Sequence, residues 1–171
     1  RVVSQMVGEI DGILEALADP GWSDAFELDR MGIGGMSAGG MAALRRLCDP
    51  HPFACCAVEA TTGWLERLYG ECSPWGVAHD ADAVRAMDAM GRLDRWRPIP
   101  LLALHARHDE VVPLELQAEF IERVRARTTD AGGDSSSVEL VAFDRTDAQR
   151  EHAGFGRFGA EAKSLQTEFL I

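Results

Sequence analysis

Basic residues are scarce in this chain of 171 residues. Lysine and arginine number 17 against 28 aspartates and glutamates, for a formal charge of −11. With no basic stripe to neutralise phosphates, nucleic acid is excluded as a partner. Lysine itself is almost missing: Lys163 is the only one, which reads as compositional bias. Long apolar runs are also missing. No stretch is long enough to span a bilayer and no signal peptide is recognisable, so no membrane partner is expected; the cysteine usage fits a reducing, cytoplasmic compartment. The four cysteines (Cys48, Cys55, Cys56 and Cys72) form no C-x-x-C pair and no Cys/His cluster of metal spacing. They read as small buried hydrophobes, with Cys55 and Cys56 pointing to opposite faces of one strand. Internal repeats and a domain linker are lacking, so residues 1–171 read as one domain.

What is present is a hydrophobic fraction of 46 %, enough for a substantial core. Val3, Met6, Val7, Ile10, Ile13, Leu14 and Leu17 recur at helical spacing, which predicts a helix over 2–18, stopped by Asp19-Pro20-Gly21. A strand is expected from Met31 and a helix from the following turn to about Cys48. Two nearly continuous apolar runs, 53–60 and 99–106, read as buried strands of a parallel sheet. Helices are expected around 81–90 and over 113–127, a polar loop over 128–137 and a last strand over 138–143. A closing helix over 155–171 completes the pattern, and strands alternating with helices argue a parallel α/β sheet.

The chain is organised around Gly35-Met36-Ser37-Ala38-Gly39, with Gly40 behind it. Strand, sharp turn and helix is the context in which G-x-S-x-G is a nucleophile elbow. The serine sits in a strained turn so that its hydroxyl stands clear of the sheet, and side chains at Gly35 or Gly39 are expected to collide with neighbouring backbone. The helix that follows points its N-terminus at Ser37, and the Ala38 N–H is the expected oxyanion donor. Asp109 falls in the loop after one buried strand and His152 in the loop after the last. Ligands meet the C-terminal ends of such strands, so serine, acid and histidine lie on one side of the sheet in the order Ser…Asp…His. Glu59, at the end of the 53–60 strand, is an alternative acid. His105, beside the acid, reads as structural, and His51 and His79 read as surface residues.

These motifs resemble the α/β-hydrolases, specifically the C-terminal portion of that fold. Gly-Met-Ser-Ala-Gly-Gly (35–40) matches the family's elbow. His-Ala-Arg-His-Asp-Glu-Val-Val-Pro (105–113) matches its acid loop, usually H-G-x-x-D-x-x-V-P, with Ala106 in place of the glycine. Glu-His-Ala-Gly-Phe (151–155) matches the histidine loop. In motif style the chain is similar to small dienelactone-hydrolase-like and prolyl-oligopeptidase-type members.

The resemblance implies a mostly parallel sheet with helices on both faces, here lacking the family's N-terminal strands. It implies Ser37 as nucleophile, His152 as base and Asp109 as the acid that orients it, with no metal or organic cofactor. The substrate expected is a small acyl compound, most directly a carboxylic ester. A peptide, a thioester, or a non-catalytic binding role on the same fold are the alternatives. Residues 61–98 fall where the family inserts its cap or lid. Trp64 and Trp75, with Tyr69 beside them and Met36 from the elbow, are candidate walls of the acyl pocket, with core packing as the alternative for each. The first residue is Arg1, so a longer native chain is expected to supply earlier strands and the second oxyanion donor; without them the Met31 strand is an open apolar edge.

Overall fold

In the computed structural model, the structure describes residues 1–21, 26–70 and 79–171. Four strands, β1 (Gly32–Met36), β2 (Cys55–Glu59), β3 (Leu101–Ala106) and β4 (Val138–Phe143), form one parallel sheet in the spatial order β1-β2-β3-β4. The register sets Gly34 beside Ala57, Val58 beside Ala103, and Leu104 beside Val141. Parallel strands need crossovers, and α2 (Ala38–Arg46) and α5 (Leu114–Asp130) supply two of them. Between β2 and β3, the described residues form two short helices, α3 (Leu65–Gly70) and α4 (Ala81–Met87), and a 3₁₀ segment, Met90–Arg95.

Alternation along the strands sorts side chains onto two faces. Cys56, Val58, Leu101, Ala103 and Val138 meet Leu44 and Leu47 of α2 and Phe120, Ile121 and Val124 of α5 in the larger core. Ala57, Leu102, Leu104 and Phe143 meet Phe155 and Ala162 on the opposite face, under α6 (Gly159–Leu170). Burial on both faces explains why β3 has no exposed position and reads as an apolar run with a single histidine in it. Helix α1 (Val2–Leu17) packs against α2, and Arg46 of α2 donates to Asp11 of α1 at 2.7 Å.

Among the described residues β1 pairs with β2 alone. No helix of the described residues is long and apolar enough to cross a membrane.

The boundaries shift where tertiary contacts outweigh local signals. The polar segment from Thr128 begins as helix, because α5 runs on to Asp130 with Thr128 buried and Arg127 donating to the carbonyls of Leu93 and Asp94. The closing helix starts at Gly159 rather than Phe155. Gly156 has φ +45, outside the α-helical region, and the chain makes a 3₁₀ turn over Gly156–Phe158 before α6 begins. Cys48 and Cys56 are buried and Cys55 half-buried, all three with free thiols; Cys72 lies outside the described residues. His51 is half-buried rather than a surface residue: it stacks on Phe53 with ring centroids 5.7 Å apart and takes Arg97 as a hydrogen-bond partner.

Candidate active site

The elbow forms where β1 ends and α2 begins. Ser37 has φ 51 and ψ −119, a conformation rarely adopted by a residue with a side chain and costing on the order of 1–3 kcal/mol. Contacts on both sides hold it. Ser37 N–H donates to the Glu59 carbonyl at 2.9 Å, and the Ser37 carbonyl accepts from Met41 N–H at 3.0 Å and from the Thr61 hydroxyl at 2.8 Å. The strand and helix approach closely enough that a Cβ on Gly35 would lie 2.6 Å from the Gly39 carbonyl carbon. At Gly39 itself a Cβ meets nothing within 4 Å, which corrects the expectation that both motif glycines are sterically required. The second demanding position is Gly40, where a Cβ would sit 2.7 Å from the Thr61 side chain.

Asp109 follows β3 and is buried, with an exposure of 8 %. Its Oδ1 accepts the N–H groups of Val111 and Val112, both at 2.8 Å, which turns the loop back toward α5. His152 follows β4 in a loop with unusual backbone: Asp147, Arg150 and Glu151 all have positive φ. Glu151 holds this loop. Its carboxylate accepts from Thr146 N–H at 2.7 Å, the Thr146 hydroxyl at 3.0 Å and Asp147 N–H at 3.0 Å. These bonds, Thr146 first, keep the Glu151 carboxyl below its ordinary pKa.

The two loops bring the three predicted residues together. His152 Nε2 lies 3.0 Å from Ser37 Oγ, and His152 Nδ1 lies 2.8 Å from Asp109 Oδ2. The Asp109 side chain is fully shielded and that of His152 is 13 % exposed, so the carboxylate faces the imidazole in a low-dielectric setting with one edge open to substrate. Ser37 caps α2, and no acceptor among the described residues takes the Ala38 N–H, which is left free for an oxygen at the serine. The arrangement can move a proton from a hydroxyl to an imidazole while donating to a nascent oxyanion.

The other candidates go elsewhere. The carbonyl of Glu59 serves the elbow, while its half-buried carboxylate accepts from Gln166 of α6; burial raises its pKa. The partner of His152 is therefore Asp109 and not Glu59. His105 is fully buried with its Nε2 on the Val112 carbonyl at 2.8 Å, and His79 is exposed beside Tyr69. Met36 ends β1 beside Ser37 and is 37 % exposed. Trp64 lies under the Arg67 guanidinium, 4.9 Å from the ring centroid, and lines a groove of about 420 Å³ with Leu93, Glu119 and Arg123. None of Ser37, Asp109 and His152 lines that groove. Tyr69 packs on Met41 with its hydroxyl 3.8 Å from the sulfur, and Trp75 lies outside the described residues. No group of three or more His, Cys, Asp and Glu among the described residues could hold a metal ion.

Thr61, Glu151 and the Arg150–Glu110 contact carry the geometry without having been singled out from sequence. Glu151 had a signal, its place beside the histidine. Thr61 had none, since only the folded chain sets it against Gly40.

Solved structures repeat this architecture at low identity. An esterase from Pyrococcus furiosus superposes with a TM-score of 0.70 at 22 % identity, covering 99 % of this chain and 63 % of its own. An acylaminoacyl peptidase from Pyrococcus horikoshii superposes at 0.69 and 20 % identity, covering 94 % of this chain but 26 % of its own. A puromycin-hydrolysing peptidase from Mycobacterium tuberculosis superposes at 0.65 and 21 % identity, covering 96 % and 24 %. The chain thus spans about a quarter of the peptidases it resembles and under two thirds of the esterase. These likenesses show an α/β-hydrolase fold, of which the chain is a part. No curated protein matches the chain. The sequence model of the prolyl oligopeptidase family matches residues 11–164, and the chain belongs to that family.

Proposed function

We propose that this protein is a serine hydrolase that cleaves a carboxylic ester or a related small acyl compound through Ser37, His152 and Asp109. The observation that carries the reading is the continuous hydrogen-bonded line from Ser37 Oγ through both nitrogens of His152 to a buried carboxylate. Ser37 Oγ attacks the acyl carbon as its proton passes to His152 Nε2. The new oxyanion takes the Ala38 N–H, with the positive end of α2 behind it. Asp109 fixes the tautomer, holding the proton of His152 on Nδ1, and stabilises the imidazolium. The same imidazole then gives its proton to the leaving group. Water, activated by His152, attacks the acyl-enzyme and frees Ser37. Met36, beside the nucleophile, forms one wall for the acyl group. No cofactor enters these steps, and the free thiols of Cys48, Cys55 and Cys56 accord with a reducing, cytoplasmic setting.

A second reading, peptide hydrolysis with the same residues, is favoured by the family match and by the peptidases among similar structures. The test is hydrolysis of p-nitrophenyl esters of increasing acyl length and of aminoacyl anilides, with covalent labelling by an organophosphonate, on the protein and on Ser37→Ala. Ester turnover and labelling that both vanish in the variant support the first reading. Anilide turnover alone moves the assignment to the peptidase. Absence of labelling in the unmutated protein overturns both in favour of a binding protein on a hydrolase fold.

A further inference from the structure

His105 is a histidine with no place in the proton path, yet it is completely buried in the strand that ends at the acid loop. Its Nε2 lies 2.8 Å from the Val112 carbonyl. A carbonyl only accepts, so Nε2 carries the proton and donates. Its Nδ1 is buried and has no hydrogen-bond partner among the described residues. Such an orphaned atom is unfavourable, and an apolar side chain of the same size would pack there without it. The single hydrogen bond therefore marks what the histidine does.

Val112 is gripped from both sides. Its N–H donates to Asp109 Oδ1 at 2.8 Å, and its carbonyl accepts from His105. Val111 N–H fills the second site on Oδ1 at 2.8 Å, which leaves Oδ2 for His152. His105 Nε2 is 3.6 Å from that same Oδ2, beyond hydrogen-bond range but close enough for its N–H dipole to favour the carboxylate.

We propose that His105 is a positioning residue for Asp109: its neutral imidazole clamps the Val112 carbonyl and so keeps Oδ2 aimed at His152. The inference rests on the triad reading above. Burial holds the imidazole below its ordinary pKa, and a second proton on Nδ1 would find no acceptor. Neutrality matters, because an imidazolium here would compete with His152 for the one carboxylate. The charged or titratable groups that face His105 are Asp109 of the acid loop, His152 of the histidine loop and Glu115 of α5.

The test compares His105→Phe, which fills the space without a donor, His105→Asn, which is polar but too short to reach Val112, and His105→Gln, whose amide nitrogen takes the place of Nε2. Rates are normalised to phosphonate-titratable sites, so loss of folded protein does not count. The Phe and Asn variants are expected to lose about tenfold to a hundredfold in kcat at nearly constant KM, as displaced catalytic groups do. The pH profile of their kcat/KM departs from that of the unmutated protein, because the contact between His152 and Asp109 is altered. The Gln variant recovers kcat to within a few-fold. Unchanged kcat and pH profile in either impaired variant overturns the inference, and so does a Gln variant as poor as Phe. The NMR resonances of the His152 imidazole read the same displacement without any substrate. If the unmutated protein hydrolyses nothing, displaced His152 ring resonances in the variants still support the clamp, and unchanged ones refute it.

Discussion

Glu110 and Arg150 hold each other through their backbones and side chains. Glu110 N–H donates to the Arg150 carbonyl at 3.1 Å, and the Arg150 guanidinium returns a bond to the Glu110 carbonyl at 3.3 Å. One residue follows Asp109 and the other lies two before His152, so this pair fastens the acid loop to the histidine loop. Arg150 reaches it with φ 56, and Glu151 follows with φ 51. Backbone strain on this scale persists only where surrounding bonds over-determine it, and here Glu151 provides them.

Glu151→Gln is accordingly expected to damage catalysis more than binding. The amide sets an NH₂ group against donors that now meet a carboxylate, so at least one of the three bonds to Thr146 and Asp147 is lost. A fall of about tenfold to a hundredfold in kcat at constant KM is predicted, from loss of alignment at His152. Steady-state kinetics on phosphonate-titrated enzyme decide it, and an unaltered kcat would show that the loop is held by other means. The sign of the pH effect also follows. The folded carboxyl is depressed below its ordinary value, so its contribution is present above the ordinary carboxylate range and fades as pH falls through the folded pKa.

Gly39 and Gly40 are neighbours in α2 with opposite expectations. Gly40→Ala drives a methyl group to 2.7 Å from the Thr61 side chain, an overpacking expected to cost about 1–3 kcal/mol in stability. Gly39→Ala meets open space in helical backbone and is expected to stabilise by about 0.5–1 kcal/mol. Urea unfolding of the two variants separates them. Equal effects would contradict the close approach of α2 to Thr61.

His51 predicts a pH-dependent stability. Burial first, then the Arg97 and Arg46 guanidiniums, push its pKa from 6.5 down to about 4. Between those values the unfolded chain binds the proton and the folded chain does not, so this group's contribution is whole above about pH 6.5 and is lost as pH falls toward about 4. Removing the titration by His51→Gln should flatten the decline in unfolding free energy between pH 7 and pH 5 relative to the unmutated protein. Parallel declines would refute the assignment.

Much of the site was legible because its requirements are local. A serine between glycines after a short apolar strand can form the elbow from its own sterics, and apolar runs ending before Asp109 and His152 put both on the same side of a parallel sheet. The alternation of strands and helices likewise set the fold class, since burial on both faces leaves a signature in the central strands β2 and β3. What the chain alone left open were choices among equals. Glu59 ends one buried strand and Asp109 follows another, and only packing turns one carboxylate to Gln166 of α6 and the other to His152. The motif singles out Gly39 and not Gly40, and it is the distance to Thr61, far along the chain, that makes Gly40 the sterically demanding one. His105 looked like a strand residue that happened to be polar; its bond to Val112 exists only once the loop has closed. Short-range sterics and periodicity are written in consecutive residues. The partner of a buried polar atom depends on which segments the fold brings within about 3 Å, and that is decided by the tertiary structure.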